Sequence, residues 1–151
     1  MRSDALIPRH ETLRLPGGRW IAYRDFPGPP GAETVLLLHG IGMTADLNLA
    51  GWFATLRQRL RVVALDLRGH GRSGCPSPEF RLEDCADDVL ALAKALGIER
   101  FIATGYSMGG LIAQLLWRRH PERTPAPVTS SGPQRSDGHR CSRRRSRSRS
   151  G

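Results

Sequence analysis

Short apolar patterns of two periods alternate along the first 123 residues. Between Glu11 and Phe26, Leu13 and Leu15 alternate with other residues, Pro16-Gly17-Gly18 intervenes, and Trp20, Ala22 and the stem of Arg24 alternate again. Two such runs around a Gly-containing turn predict a hairpin. Val35 to Leu38 is an unbroken aliphatic run, as expected of a strand covered on both faces of a parallel sheet. Val62 to Leu65 repeats that pattern, and Phe101 to Thr104 forms a third short run. A helical pattern follows each of them. The first carries Leu49, Trp52, Phe53, Leu56 and Leu60, with Arg57 and Arg59 in its predicted last turn. The second carries Leu82, Ala86, Val89, Leu90, Ala93 and Leu96, and Gly97 is suited to stop it. Glu83, Asp84, Asp87 and Asp88 load its N-terminal half with the charge that a helix dipole favours. The third carries Leu111, Ile112, Leu115 and Leu116. Strand alternating with helix predicts an α/β fold with a mostly parallel sheet behind an N-terminal hairpin.

After Pro121 the periodicity stops. Pro125, Pro127 and Pro133 argue against another regular element, and residues 124–151 hold only Ala126, Val128 and Cys141 from the apolar set. A segment so poor in apolar surface cannot offset its own ordering entropy, which predicts a body over 1–123 and a disordered Pro/Ser/Arg-rich tail over 124–151. Charge sharpens the division. Of the formal +9, the tail supplies +6, from seven Arg and one Asp.

Several classes drop out. No stretch approaches the roughly 20 apolar residues of a membrane span, and Met1 to Leu15 lacks the apolar region of a signal peptide. Cys75, Cys85 and Cys141 are odd in number and have no metal-ligand spacing. The expectation is a cytoplasmic protein with reduced thiols, no metal and no cofactor.

Three motifs carry candidate chemistry. Gly105-Tyr106-Ser107-Met108-Gly109 has the form G-x-S-x-G and lies between a predicted strand and a predicted helix. A nucleophilic serine has to project from a tight, strained strand-to-helix turn. Glycine two residues before and after lets strand and helix pass close, and the Met108 N–H is then aimed at a developing oxyanion. His39-Gly40-Ile41-Gly42 closes the first buried strand, where a Gly-rich turn can aim the Ile41 N–H at the same oxyanion. His39 reads as a structural hydrogen-bonding residue. Asp66 to Ser73 (DLRGHGRS) lacks the phosphate-loop pattern and reads as a structural turn, with Asp66 and His70 outside the catalytic set.

V-L-L-L-H-G-I-G, V-V-A-L-D-L-R-G-H-G-R-S and F-I-A-T-G-Y-S-M-G-G-L-I-A-Q-L occur in this order. Together they resemble the N-terminal half of an α/β-hydrolase-fold enzyme, closest to the bacterial esterase, lactonase and haloperoxidase-like branch. The resemblance covers about residues 10–123. It implies a serine hydrolase of small ester-like substrates, with Ser107 as nucleophile, the backbone N–H groups of Ile41 and Met108 as oxyanion hole, and a Ser–acid–His triad.

The triad acid and histidine follow the nucleophile in that family. Only Asp137 and His139 appear in the right order, two residues apart in the Pro/Ser/Arg-rich segment, where no strand holds either. They are rejected, and both triad partners are unknown. The loss of pattern after Arg123 predicts a truncated or frameshifted product. It also predicts an almost inactive chain and a hydrophobic sheet edge, on the Phe101 strand, that is open to self-association. Two alternatives stand beside the hydrolase. One is a non-catalytic scaffold. The other is a nucleic-acid binder using Ser142 to Ser150, although no aromatic residue interleaves those arginines and specific binding is not expected.

Overall fold

A computed structural model describes residues 8–74, 79–125 and 127–130. In chain order the elements are β1 (Glu11–Arg14), β2 (Trp20–Phe26), β3 (Thr34–Leu38), α1 (Ala45–Leu56), β4 (Arg61–Leu65), α2 (Leu82–Ala95), β5 (Ile102–Tyr106), α3 (Met108–Arg119) and β6 (Val128–Ser130). They form a six-stranded sheet in the order β1-β2-β4-β3-β5-β6. The β1–β2 and β2–β4 pairs are antiparallel, and β4–β3, β3–β5 and β5–β6 are parallel. The predicted hairpin and the mostly parallel sheet are both present.

The unbroken run in β3 has a simple cause. Leu36 and Leu38 enter a core shared with α2 and α3, while Val35 and Leu37 enter a second core beneath α1. Alternate residues face opposite ways, so a strand covered on both sides must be apolar throughout. Thr44 caps α1 by accepting the Leu47 N–H on its side chain, and Gly97, at φ +66, follows α2.

Four differences separate pattern from structure. In β2 Ala22 is buried and the Arg24 side chain is largely buried, as expected, but Trp20 is exposed, and Ile21 and Tyr23 on the other face join the larger core. The strand lies inside the sheet, between β1 and β4, and both its faces carry buried residues. Helix α1 ends at Leu56, so Arg57 is its C-terminal flanking residue and Arg59 lies beyond it. Trp52 is 39 % exposed, because only Leu49 and Phe53 of the predicted stripe are fully buried. Helix α3 begins at Met108 rather than Leu111, so the turn at Ser107 leads directly into it.

The fourth difference is β6. No regular element was expected after Pro121, yet Val128 to Ser130 pair with Thr104 to Tyr106 in parallel register. The three residues contain no proline, and Val128 and Thr129 are β-branched, so an unfilled backbone edge is enough to hold them. The β5 edge expected to be bare is covered over that stretch. Asp137, His139, Cys75, Cys141 and the run from Ser142 to Ser150 lie outside the described residues. Among the described residues, no helix is long and apolar enough to cross a membrane.

Candidate active site

Parallel pairing of β3 with β5 sets Leu38 opposite Gly105, so the two Gly-rich motifs leave the sheet side by side. Their contact depends on missing side chains. A Cβ on Gly109 would lie 2.1 Å from the Leu38 carbonyl oxygen, and one on Gly105 would lie 2.1 Å from the Gly109 carbonyl. Both neighbours are backbone and cannot rotate away. Gly40 faces the Tyr106 ring and the Ser107 Cβ, at 3.0 and 3.6 Å from an added Cβ.

Ser107 has φ 51° and ψ −113° and is the one non-glycine residue with positive φ among the described residues. That region is sparsely populated by residues with a side chain, and holding one there stores strain. The side chain is exposed. The Ser107 carbonyl accepts the N–H groups of Gly110 (2.9 Å) and Leu111 (3.2 Å), which starts α3. Met108 is the first residue of that helix, so its N–H belongs to the unpaired, electropositive end.

Gly40 to Met43 form a β-turn closed by the Met43 N–H on the Gly40 carbonyl, at 3.2 Å. Gly42 supplies the left-handed corner, at φ +70°. Ile41 sits at the tip with its side chain 70 % exposed, and among the described residues its N–H has no hydrogen-bond partner. The Gly40 N–H donates to Asn48 Oδ1 of α1 at 2.9 Å. The buried His39 ring accepts the Leu67 N–H on Nε2 (2.9 Å), so Nδ1 carries the proton and donates it to the Gly40 carbonyl (2.7 Å). Desolvation by burial holds the His39 pKa below its usual value. With both nitrogens engaged, this ring is a brace and has no lone pair for a serine proton.

The DLRGHGRS turn is likewise tied to backbone. The buried Asp66 carboxylate accepts the Ala45 N–H at the start of α1 (2.9 Å) and the Arg72 N–H (3.0 Å). His70 Nδ1 donates to the Arg68 carbonyl at 2.9 Å. Arg68, 5 % exposed, makes a bidentate pair with Asp88 (2.8 and 2.9 Å) and approaches Asp84 (3.2 Å). Asp88, one of the four acids in the N-terminal half of α2, is buried and serves this pair.

Among the described residues no histidine hydrogen-bonds Ser107. His10 pairs with Asp46, and His120 lies at the far end of α3 beside Glu122. No group of three or more potential metal ligands is present among them. A cavity of about 210 Å³ lined by Glu33, Thr34, Arg100, Phe101, Ile102 and Pro125 opens at the opposite ends of β3 and β5, away from the serine. Sequence reasoning missed Asn48, since a lone helical asparagine carries no motif. An exposed hydroxyl on a strained turn, beside two unpaired N–H groups, is an arrangement able to bond to an electrophilic carbon and hold the resulting anion.

A family model described as the alpha/beta hydrolase fold matches residues 33–141. The chain is 35 % identical over 121 residues to the non-heme chloroperoxidase of Streptomyces lividans, covering 80 % of this chain and 44 % of that protein. It is 37 % identical over 90 residues to the bifunctional esterase/perhydrolase DCH of Acinetobacter calcoaceticus, covering 60 % and 32 %. The crystal structure of a hydrolase from Pseudomonas aeruginosa superposes with a TM-score of 0.74 at 31 % identity, over 81 % of this chain and 46 % of that one. The chain therefore spans less than half the length of these relatives. The matched residues include both Gly-rich turns and the parallel strands that join them, and this chain belongs to the α/β-hydrolase-fold family.

Proposed function

We propose that the chain carries the nucleophile and oxyanion-binding half of a serine hydrolase acting on small ester-like substrates. The strained backbone of the exposed Ser107, at φ 51°, is the observation that carries this reading. Ser107 Oγ attacks the acyl carbon, and the carbonyl electron pair moves onto oxygen, where the Met108 and Ile41 N–H groups stabilise it. Collapse expels the alcohol with a proton and leaves an acyl-serine, which water hydrolyses. The esterase/perhydrolase relative supports an ester-type substrate.

The serine proton needs an acceptor. No described histidine hydrogen-bonds Ser107, and the reading includes slow reaction of the chain on its own, by several orders of magnitude relative to a complete triad. Exogenous imidazole supplies a base in the test. A fluorophosphonate is expected to label the chain weakly, more strongly with added imidazole, and not at all in Ser107→Ala. Equal labelling of Ser107→Ala overturns the nucleophile assignment. Fast labelling without imidazole that is lost in Ser107→Ala overturns the slow-chain assignment.

A further inference from the structure

We infer that Asn48 is a positioning residue that aims the Ile41 N–H by holding the preceding peptide, an assignment that rests on the serine-hydrolase reading above. The Ile41 N–H shares a planar trans peptide with the Gly40 carbonyl and points opposite to it. Fixing that carbonyl therefore fixes the direction of the N–H. The His39 Nδ1–H (2.7 Å) and the Met43 N–H (3.2 Å) both hold it. Glycine leaves φ and ψ on either side of its α-carbon unusually free, so one anchored peptide does not determine the turn. The anchor on the other side is Asn48 Oδ1, 2.9 Å from the Gly40 nitrogen. Gly40 is thus pinned at its N–H by α1 and at its carbonyl by the histidine that follows β3.

The placement of Asn48 agrees with this. It lies in the first half of α1 next to the buried Leu49, where asparagine is a poorer helix former than alanine. Its own N–H is an ordinary helical donor to the Thr44 carbonyl, at 3.0 Å. Only the side chain reaches out of the helix to the turn. Through it, the position of α1 against the sheet is transmitted to the Ile41 amide.

Two measurements on the full chain test this. In Asn48→Ala, amide hydrogen exchange at Gly40 is expected to accelerate about tenfold or more, as its one acceptor is lost; Asn48→Asp keeps an acceptor oxygen and keeps the protection. In imidazole-supported fluorophosphonate labelling, Asn48→Ala is expected to lower the maximal rate about tenfold with the half-saturating reagent concentration unchanged, less than the roughly 10²–10³ lost when an oxyanion donor is removed outright. An unchanged Gly40 exchange rate in Asn48→Ala overturns the clamp. An unchanged maximal rate in Asn48→Ala, with labelling still lost in Ser107→Ala, overturns its role in aiming the amide while the nucleophile assignment stands. Failure of the parent chain to label even with imidazole overturns the hydrolase reading and the aiming role with it, and the exchange data then decide the clamp alone. Should Asn48→Ala fail to fold, loss of Gly40 protection in folded Asn48→Asp also overturns it.

Discussion

His39 Nε2 accepts the Leu67 N–H at 2.9 Å, joining the ends of β3 and β4 across 28 residues of sequence. The bond requires a neutral ring. Burial depresses the His39 pKa in the folded chain, while the unfolded value stays at about 6.5. A depressed folded value means that the unfolded chain binds the proton first. The contribution to stability is full above about pH 6.5 and is lost as pH falls below that toward the folded value. Melting temperatures between pH 8 and 5 are expected to fall in the parent chain and to fall less steeply in His39→Gln, which starts lower. Parallel curves would exclude His39 as the source.

Ser107 predicts a trade of stability against reactivity. Glycine occupies its backbone region without strain, so Ser107→Gly is expected to stabilise the fold by about 1 kcal/mol while abolishing labelling. Urea denaturation reads the first effect. A lower midpoint in Ser107→Gly would show that the turn is unstrained.

Gly109 predicts the reverse. An added Cβ meets the Leu38 carbonyl oxygen at 2.1 Å, a backbone contact that opens only if α3 moves away from β3. Gly109→Ala is expected to lose more than about 3 kcal/mol, at the upper end of overpacking effects. Gly51→Ala on α1, where an added Cβ meets nothing, is the control and is expected to be neutral or stabilising. Similar midpoints for the two variants would contradict the packing of the turn.

Thr124 is fully buried just after α3, and its Oγ1 has no hydrogen-bond partner. An unsatisfied buried hydroxyl is unfavourable by about 1–3 kcal/mol. Thr124→Val keeps the shape and removes the polar atom, so a gain of about 1 kcal/mol is expected in chemical denaturation. A loss would mean that the hydroxyl is solvated.

The Arg68–Asp88 pair joins the DLRGHGRS turn to α2 in a buried setting. Arg68→Met leaves the Asp88 charge with only the Arg19 guanidinium at 3.5 Å, and is expected to lose about 3–5 kcal/mol. The double variant with Asp88→Leu is expected to recover much of that loss. Additive losses in a double-mutant cycle would show that the two side chains are not coupled.

Much of this architecture is legible in local pattern. The runs at Val35–Leu38 and Val62–Leu65 are apolar because both sheet faces are covered, and the helical stripes locate three helices because each must bury one side. Gly105, Ser107 and Gly109 are legible because their spacing answers a backbone requirement within five residues. The rest involves partners distant in sequence. Trp20 stands outside and Ile21 inside because Ile21 packs into the core formed with α2 and α3, some 60 or more residues later, while Trp20 lies against Gly74. Strand β6 needs only an open backbone edge, and no period in Val128-Thr129-Ser130 announces one.

By itself, the sequence determined the alternation of strands and helices, the turn that exposes Ser107 and the Gly-rich turn that follows β3. Each depends on faces and dihedral angles that a few neighbouring residues set. Only the tertiary structure decided that the two turns touch, that His39 braces rather than accepts protons, and that Asn48 holds Gly40. Those relations follow from β3 lying parallel between β4 and β5, which gathers distant backbone amides where no local pattern records them.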